Sequence, residues 1–222
     1  MRKTILVILV LQLATNTAQG ITLGQVDTFQ DGTTQGWGGY AAATNVATGG
    51  PAGGGDRYLS LTSTGETGRS GELRAATDQD NRHRWDGNYV NAGITGIGMD
   101  LRNFGTQDLQ MRIVFGGNYG DWTSTDSFLL LADGQWHHAV FGLTAADLTW
   151  GGGGSNPNLT SALMYMGGFS IRHQVGDPQG VGQSTPIAAT VGIDSVTTVP
   201  EPLSILLCAA GGRLLARHRA AM

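Results

Sequence analysis

Short apolar runs separated by clusters of glycine are the feature that most constrains the fold of this 222-residue chain. In residues 97–102, 109–115 and 187–194, apolar side chains alternate with polar or small ones, a period typical of strands with one buried face. Further predicted strands cover residues 25–29, 58–62, 72–76, 127–131, 136–143 and 169–175. Only residues 144–147 indicate a turn of helix. The pattern predicts an all-β protein, an antiparallel β-sandwich of the jelly-roll type.

The amino-terminal residues predict export. Arg2 and Lys3 precede an apolar run over residues 5–11, and Ala18-Gln19-Gly20 places small residues where a signal peptidase cleaves. The apolar run is too short to favour an uncleaved membrane anchor. We therefore expect residues 1–20 to be a secretory signal peptide.

The carboxyl-terminal residues 199–222 form a second pattern with three elements in order. These elements are the tripeptide Pro200, Glu201 and Pro202, an apolar run over 203–212, and a basic tail with Arg217 and Arg219. The segment resembles the PEP-CTERM sorting signal, which marks exported bacterial proteins for a membrane protease of the exosortase type. The resemblance implies such a protease as partner and a location in the cell envelope, at the cell surface or in the extracellular matrix.

Arg213 departs from that pattern because it interrupts the apolar run. The run is shorter than the ~20 residues of a stable transmembrane helix, so membrane association through this segment would be transient. The alternative is an amphipathic terminal helix docked on the preceding domain.

The segment between the two signals, residues 21–198, is predicted to be a single domain. It carries sixteen Asp or Glu against eight Arg, a formal net charge of −8 with His neutral. Nucleic-acid binding is excluded on this count, because a phosphate-binding surface needs clustered Lys and Arg and the only lysine is Lys3. The single cysteine, Cys208, lies in the sorting segment, so the domain has no internal disulfide.

Several short motifs follow one another along this domain. They are Phe29-Gln30-Asp31-Gly32 with Gly36-Trp37, Gly55-Asp56-Arg57-Tyr58-Leu59, Trp85-Asp86-Gly87-Asn88-Tyr89, Met99-Asp100-Leu101-Arg102-Asn103, Gly134-Gln135-Trp136 and Ile193-Asp194-Ser195-Val196. The ordered set resembles the galactose-binding-domain-like jelly rolls used by many carbohydrate-binding modules. The resemblance implies the fold and, for many members, sugar binding without catalytic machinery.

Five tryptophans divide into two groups. Trp37, Trp85 and Trp136 occupy positions where the resemblance implies core or strand-entry residues. Trp122 follows a polar, glycine-rich stretch that includes Tyr119, and Trp150 precedes four glycines. Aromatic side chains on loops have no periodic core position to explain them. We expect Trp122, Trp150 and Tyr119 either to line a ligand face, on which sugar rings stack, or to pack the loops down.

Charged residues alternate with buried ones on three predicted strands. The alternation places Asp100 opposite Met99, Arg112 opposite Met111 and Ile113, and Arg172 opposite Ile171. If these strands are neighbours, guanidinium and carboxylate groups form one row across a sheet that could bind sugar hydroxyls. The alternative is a set of ion pairs on a solvated face.

A structural calcium ion is the one cofactor that the sequence indicates. Asp27, Asp31, Asp56 and Asp194 lie near the two ends of the domain, where jelly rolls of the resembled type often hold Ca²⁺ between the first and last strands. Carboxylates are suitable ligands for this ion. The alternative is turn formation, since Asp-Gly pairs such as Asp31-Gly32 are common in turns.

Three classes of function stay open. A non-catalytic module would bind extracellular polysaccharide or another matrix component, and a structural matrix protein would bind no soluble ligand. A glycosidase needs only two facing carboxylates, which sixteen acidic residues could supply. The sequence contains no Gly-x-Ser-x-Gly elbow, phosphate loop or dinucleotide fingerprint, so we favour the non-catalytic binding module.

Overall fold

The computed structural model describes residues 20–200. The predicted signal peptide, apart from Gly20, and the sorting segment beyond Pro200 lie outside the described residues. The strands are β1 (Val26–Asp27), β2 (Ala42–Val46), β3 (Tyr58–Thr64), β4 (Arg74–Ala76), β5 (Asp86–Gly87), β6 (Ile94–Asn103), β7 (Leu109–Phe115), β8 (Asp121–Ser124), β9 (Phe128–Leu130), β10 (Trp136–Gly142), β11 (Leu148–Gly152), β12 (Met166–Gly167), β13 (Ser170–His173) and β14 (Ala188–Pro200). One short helix, α1 (Leu159–Met164), precedes β12.

The strands form two six-stranded antiparallel sheets. Sheet A has the order β10-β6-β14-β3-β2, with β1 also pairing with β14. Sheet B has the order β11-β8-β7-β13-β4, with β9 also pairing with β7. β5 and β12 form a separate small pair. The predicted all-β antiparallel jelly-roll sandwich is therefore confirmed.

The core lies between the sheets, on the faces that the alternation predicts. Leu59 and Leu61 of β3, Met99 and Leu101 of β6, and Ile113 of β7 are all almost completely buried. Their neighbours in each strand point outward, as successive residues of a strand must. Sequence polarity thus decides which face of each sheet packs inward.

Helical structure differs from the prediction. Residues 144–147 form a turn, in which the Asp147 carboxylate accepts from the Thr144 backbone and hydroxyl, while α1 was not predicted. α1 begins after Asn158, whose side chain accepts a hydrogen bond from the Ser161 amide at 2.8 Å. Among residues 20–200, no helix is long and apolar enough to cross a membrane.

Two of the three tryptophans expected to be structural are fully buried. The indoles of Trp37 and Trp85 both donate to Asp27 Oδ2, at 2.9 and 2.8 Å. Trp136 differs, because it pairs with Arg102 and lies half-buried on the outer face of sheet A. There it packs against Tyr58, with ring centroids 5.3 Å apart. Of the two positions expected, core or strand entry, Trp136 takes the second, because it is the first residue of β10.

Candidate functional site

An aromatic patch lies where β8 and β11 meet at the edge of sheet B, and it consists of Tyr119, Trp122, Trp150 and Tyr165. Trp122 and Trp150 are direct partners in the antiparallel pairing of these strands, so their side chains lie on the same face. Trp122 packs against the core and is half-buried. Trp150 is 51% exposed. The two indoles therefore extend from the core, at Trp122, to the solvent-exposed surface, at Trp150.

Tyr119 and Tyr165 extend this surface. Their rings stack with centroids 5.6 Å apart and an angle of 25° between the planes, and Tyr165 is 69% exposed. The Tyr119 carbonyl accepts from the Trp122 indole at 3.0 Å and from the Asn158 amide at 3.1 Å. The loop that carries Tyr119 is thus tied to both β8 and the start of α1.

Gly120 brings the loop close to both indoles. It has a positive φ of 95°, and a Cβ at this position would lie 3.0 Å from Trp150 Nε1 and 3.4 Å from Trp122 Nε1. Only glycine fits this position without moving the rings. Gly120 therefore allows the loop backbone to pack directly against both indoles.

The sequence prediction included three of the four patch residues, but its placement of Trp122 and Trp150 on loops was wrong. They lie in the short strands β8 and β11, which the glycine-rich flanking sequence conceals. Trp122, Trp150 and Tyr119, which are separate in sequence, come together in the structure. Tyr165 was missed, because it follows an unpredicted helix and reaches the patch only through its stack on Tyr119. The sequence gives one indication of Tyr165: it is a large aromatic residue outside every run in which apolar and polar residues alternate.

The predicted single row of Asp100, Arg112 and Arg172 is not formed. β6, which carries Asp100, belongs to sheet A, whereas β7 and β13, which carry Arg112 and Arg172, are neighbours in sheet B. The two arginines are paired in register, and Arg74 of β4 continues the same register on the other side of Arg172. The expectation of one row that contains both carboxylate and guanidinium groups was wrong, because Asp100 and the two arginines lie in different sheets.

We call Arg74, Arg112 and Arg172 the arginine row. All three are buried, although they lie on the outer face of sheet B, because the segment 176–183, here called the strap, crosses over them. Arg112 donates to the Gly176 carbonyl at 3.0 Å, and Arg172 donates to the Gly180 carbonyl at 2.6 Å. Further strap carbonyls that accept from the row are those of Gln179, Val181 and Gln183.

Burial has an electrostatic consequence for the row. Burial, together with the neighbouring charges of Arg74 and Arg112, lowers the pKa of Arg172 to about 10. Burial also lowers the pKa of Arg74 and of Arg112. Within residues 20–200, no carboxylate oxygen lies within 4.0 Å of a nitrogen of these three side chains. The row is therefore a buried positive cluster that is held by neutral oxygens.

An open groove of about 290 Å³ lies beside the strap on the outer face of sheet B. Small side chains form its floor, including Ala76, Val114 and Ser170, which are paired in register across β4, β7 and β13. Arg74 and the strap residue Val181 line one part of the groove. The groove thus leads from solvent to one end of the arginine row.

The four carboxylates predicted to hold calcium do not come together at one site. Asp27 accepts from two indoles and pairs with Arg84, and Asp31 accepts from the Thr33 amide at 2.9 Å in an exposed turn. Asp56 and Asp194 line one pocket of about 400 Å³, together with Asp100. No three His, Cys, Asp or Glu side chains in the described part of the chain are grouped as a metal site requires. Calcium binding stays a prediction, and Asp56 and Asp194 are its best-placed ligands.

Asp194 is the unusual member of this pocket. It is 2% exposed, and its Oδ1 has no hydrogen-bond partner among residues 20–200. Burial, with smaller contributions from Asp56 and Asp100, raises the pKa of Asp194 to about 7. Such a pKa suits a general acid, yet a catalytic acid must reach the bond that it protonates. A carboxyl buried to this degree does not meet that requirement.

Comparison with known proteins concerns the fold. No family model matches the chain, and no curated protein sequence matches it significantly. An exo-beta-agarase structure matches with a TM-score of 0.56 and 16% identity, over 82% of this chain and 25% of the agarase chain. This chain therefore spans about a quarter of that enzyme.

Two carbohydrate-binding modules are also structurally similar. The family 11 module from Clostridium thermocellum, solved with a beta-1,3-1,4-mixed-linked tetrasaccharide, has a TM-score of 0.49 and 10% identity, over 81% of this chain and 98% of its own. A module specific for non-crystalline cellulose has a TM-score of 0.45 and 16% identity, over 80% of this chain and 96% of its own.

Proposed function

We propose that this protein is a non-catalytic module that binds polysaccharide through the aromatic patch. The observation that carries the proposal is the pair of exposed rings, Trp150 and Tyr165, held by their partners Trp122 and Tyr119. Sugar rings have apolar faces that stack on aromatic side chains, and such anchors contribute a large part of binding energy. Two exposed aromatic rings supported by two partly buried ones form an arrangement that suits this mode of binding.

The two alternatives have weaker support. A glycosidase would use the carboxylates of Asp56, Asp100 and Asp194, but the residue with the raised pKa, Asp194, is almost fully buried. A structural matrix protein without soluble ligand gives no reason for two large aromatic side chains, Trp150 and Tyr165, to be exposed. The aromatic patch therefore favours binding over both alternatives.

The setting of this function is part of the proposal. The signal peptide of residues 1–20 and the PEP-CTERM-like segment of residues 199–222 support export and processing by an exosortase-type protease. The polysaccharide would then be a component of the matrix outside the cell. Pro200, the first residue of the tripeptide, is the last residue of β14, so the processing site would directly follow the sandwich.

The test is direct binding of the purified protein to polysaccharides with neutral backbones, including agarose, mixed-linked β-glucan and non-crystalline cellulose. We expect at least one of them to deplete the protein from solution and to quench tryptophan fluorescence. Trp150→Ala and Tyr165→Ala should each weaken that binding about tenfold or more, as loss of an aromatic anchor does. Leu129→Ala, which removes another exposed apolar side chain outside the patch, is the matched control and should bind normally.

Two outcomes would contradict the proposal. One is that no polysaccharide in the set retains the protein. The other is that Trp150→Ala and Tyr165→Ala retain full affinity, which would place any binding elsewhere on the molecule.

A further inference from the structure

The arginine row consists of buried positive charges that form no ion pair among the described residues, and the proposed function does not explain them. The three arginines lie in register on adjacent strands, whose usual spacing is about 4.8 Å, and all three are buried. Buried charges in proteins are normally paired with opposite charges, because their removal from water is costly. Here the partners are neutral oxygens. They are carbonyls of the strap, the Ser124 and Thr125 carbonyls that accept from Arg112, and side-chain oxygens of Thr123, Ser170 and Gln174. Within residues 20–200, the Nε atoms of all three arginines have no hydrogen-bond partner.

Carboxylates near the row act only at a distance. Glu72, Asp121, Asp126 and Asp177 influence the pKa values of the row through their charges, yet none forms an ion pair with it within the described residues. Asp121 instead accepts from the Val181 amide at 3.1 Å and so helps to hold the strap. The strap thus lies opposite the guanidinium groups, and its one carboxylate, Asp177, forms no ion pair with them among the described residues.

The strap places carbonyl oxygens where the oxygens of a bound anion would lie. Its five inward carbonyls point their negative ends at the row, as the oxygens of a bound carboxylate or sulfate would. Hydrogen bonds from guanidinium to a true anion are shorter and stronger than those to a neutral carbonyl, and they can be bidentate. An anionic ligand that reached the row would compete favourably with the strap.

A route to the row exists in the structure. The open groove on the outer face of sheet B is lined by Arg74 and by Val181 of the strap. A ligand in this groove would first meet the end of the row, the carboxylate of Asp121 and the strap residue whose carbonyl accepts from Arg74. Displacement of the strap from this end would then uncover Arg172 and Arg112 in turn.

We propose that the arginine row is a second binding site, for carboxylate or sulfate groups carried by an acidic polysaccharide, and that the strap covers it until such a ligand displaces it. This inference rests on the proposed polysaccharide binding, but it concerns a different surface. Gly151 packs against Gly180 of the strap, whereas its neighbour Trp150 points to the other face of β11. The strap and the aromatic patch thus lie on opposite faces of the same strand.

Gly151 offers a way to open the strap without touching an arginine. A side-chain carbon at this position would collide with the Gly180 backbone, so Gly151→Ala should push the strap away from the row. The apparent affinity of a covered site falls as the fraction of molecules with the cover closed rises. A variant whose strap is opened should therefore bind the anion more tightly at the arginine row. Gly54→Ala is the matched control, because a side chain there meets no atom within 4 Å.

The experiment measures binding of polygalacturonate, dextran sulfate and neutral dextran to the purified protein, with chelator present and at several salt concentrations. Polygalacturonate alone would identify carboxylate as the recognised group, dextran sulfate alone would identify sulfate, and both would identify a general anion site. We expect at least one polyanion to bind with an affinity that falls as salt rises, and dextran not to bind at the row. Arg112→Gln should weaken this binding about tenfold. Arg102→Gln, which removes the same charge from the outer face of sheet A, should not.

Hydrogen exchange separates displacement of the strap from binding elsewhere, and it needs no variant. The amides of residues 176–183 should exchange faster when the polyanion is bound, because the strap loses its contacts with the row. Gly151→Ala should speed the same amides without ligand and should raise the affinity for the polyanion several-fold. The proposal is overturned if neither polyanion binds, or if binding slows exchange in the strap.

The two proposals fail in different ways. If Trp150→Ala no longer binds neutral polysaccharide but still binds the polyanion normally, the two sites are separate and both proposals are supported. If the polyanion binds through the patch, Trp150→Ala will abolish it and Arg112→Gln will not, and the arginine row is then not a binding site.

Discussion

Asp27 and Trp85 are 58 positions apart in the sequence, yet the Trp85 indole donates a 2.8 Å hydrogen bond to the Asp27 carboxylate. The same oxygen accepts from Trp37, and the other oxygen pairs with Arg84. Both carboxylate oxygens are thus engaged inside the protein, and Asp27 is fully buried. This one side chain ties β1 to two distant loops.

Replacement of Asp27 should therefore be strongly destabilising. Asp27→Ala leaves two buried indole donors without an acceptor and Arg84 without its partner, at a cost of about 3–5 kcal/mol in the free energy of unfolding. Urea denaturation would measure it. Asp31→Ala, which removes an acid from an exposed turn, is the comparison and should cost far less. Equal effects of the two substitutions would mean that Asp27 is not a structural centre.

Much of the fold follows from local polarity. Residues 97–102, 109–115 and 187–194 are strands because burial of one face requires alternation, and these runs alternate. β2 escaped prediction because both of its faces are largely exposed at the sheet edge, so it shows no alternation. β11 escaped because two glycines follow Trp150 directly.

The sites were less predictable because they depend on pairing between distant strands. Alternation correctly places Arg112 and Arg172 opposite buried neighbours, but it does not say which strand lies beside which. Arg74 joins the row only through the pairing of β4 with β13. Likewise, Tyr165 reaches the aromatic patch through packing of α1, which local sequence does not encode.

His173 should make stability depend on pH. It is buried, and its Nδ1 accepts from the Gln110 amide at 3.1 Å, which requires an unprotonated nitrogen. Burial lowers the pKa of His173 from its ordinary value of 6.5. Above that value neither state binds the proton, so the full stability is present. As the pH falls below it, the unfolded chain takes up the proton first, and stability is lost until the folded pKa is reached.

The measurement is the free energy of unfolding by urea between pH 7.5 and pH 5. His173→Asn keeps an acceptor for the Gln110 amide but does not titrate, so the part of the slope due to His173 should vanish. His137→Asn removes a partly exposed histidine paired with Asp133 and serves as the control. A slope unchanged in His173→Asn and reduced in His137→Asn would contradict the assignment.

Calcium should stabilise the protein if Asp56 and Asp194 hold an ion. A ligand that binds only the folded state stabilises it by mass action, by ~3 kcal/mol at a free concentration a hundred times its Kd. Chelation should then lower the melting temperature, and Asp194→Asn should abolish that response. Asp31→Asn should retain it, because Asp31 lies in a separate turn. Identical melting curves in chelator and in millimolar Ca²⁺ would show that these carboxylates bind no calcium.

Processing at the carboxyl terminus should leave the sandwich intact. If an exosortase-type protease reads the tripeptide, protein recovered from the cell surface should lack residues 203–222, and Glu201→Ala should leave the precursor in the membrane. Intact mass spectrometry decides the first point and cell fractionation the second. Recovery of surface protein that still carries residues 203–222 would remove the basis for the sorting hypothesis.

The tryptophans should separate stability from binding. Trp85 is fully buried and donates to Asp27, so Trp85→Ala should cost about 3–5 kcal/mol of stability. Trp150 is half-exposed on an edge strand, so Trp150→Ala should cost about 1 kcal/mol or less. Its effect on polysaccharide affinity should be the larger of its two effects.

Trp122 lies between these two cases, because it belongs to the patch and also packs on the core. Its indole donates to the Tyr119 carbonyl. Trp122→Phe keeps an aromatic ring but removes that donor, so it should loosen Tyr119 and weaken binding with only a small loss of stability. Urea denaturation and fluorescence titration with the bound polysaccharide measure the two quantities on the same samples. If Trp150→Ala unfolds as readily as Trp85→Ala, the patch is a packed part of the fold, and its exposed rings are no longer a reason to expect sugar binding.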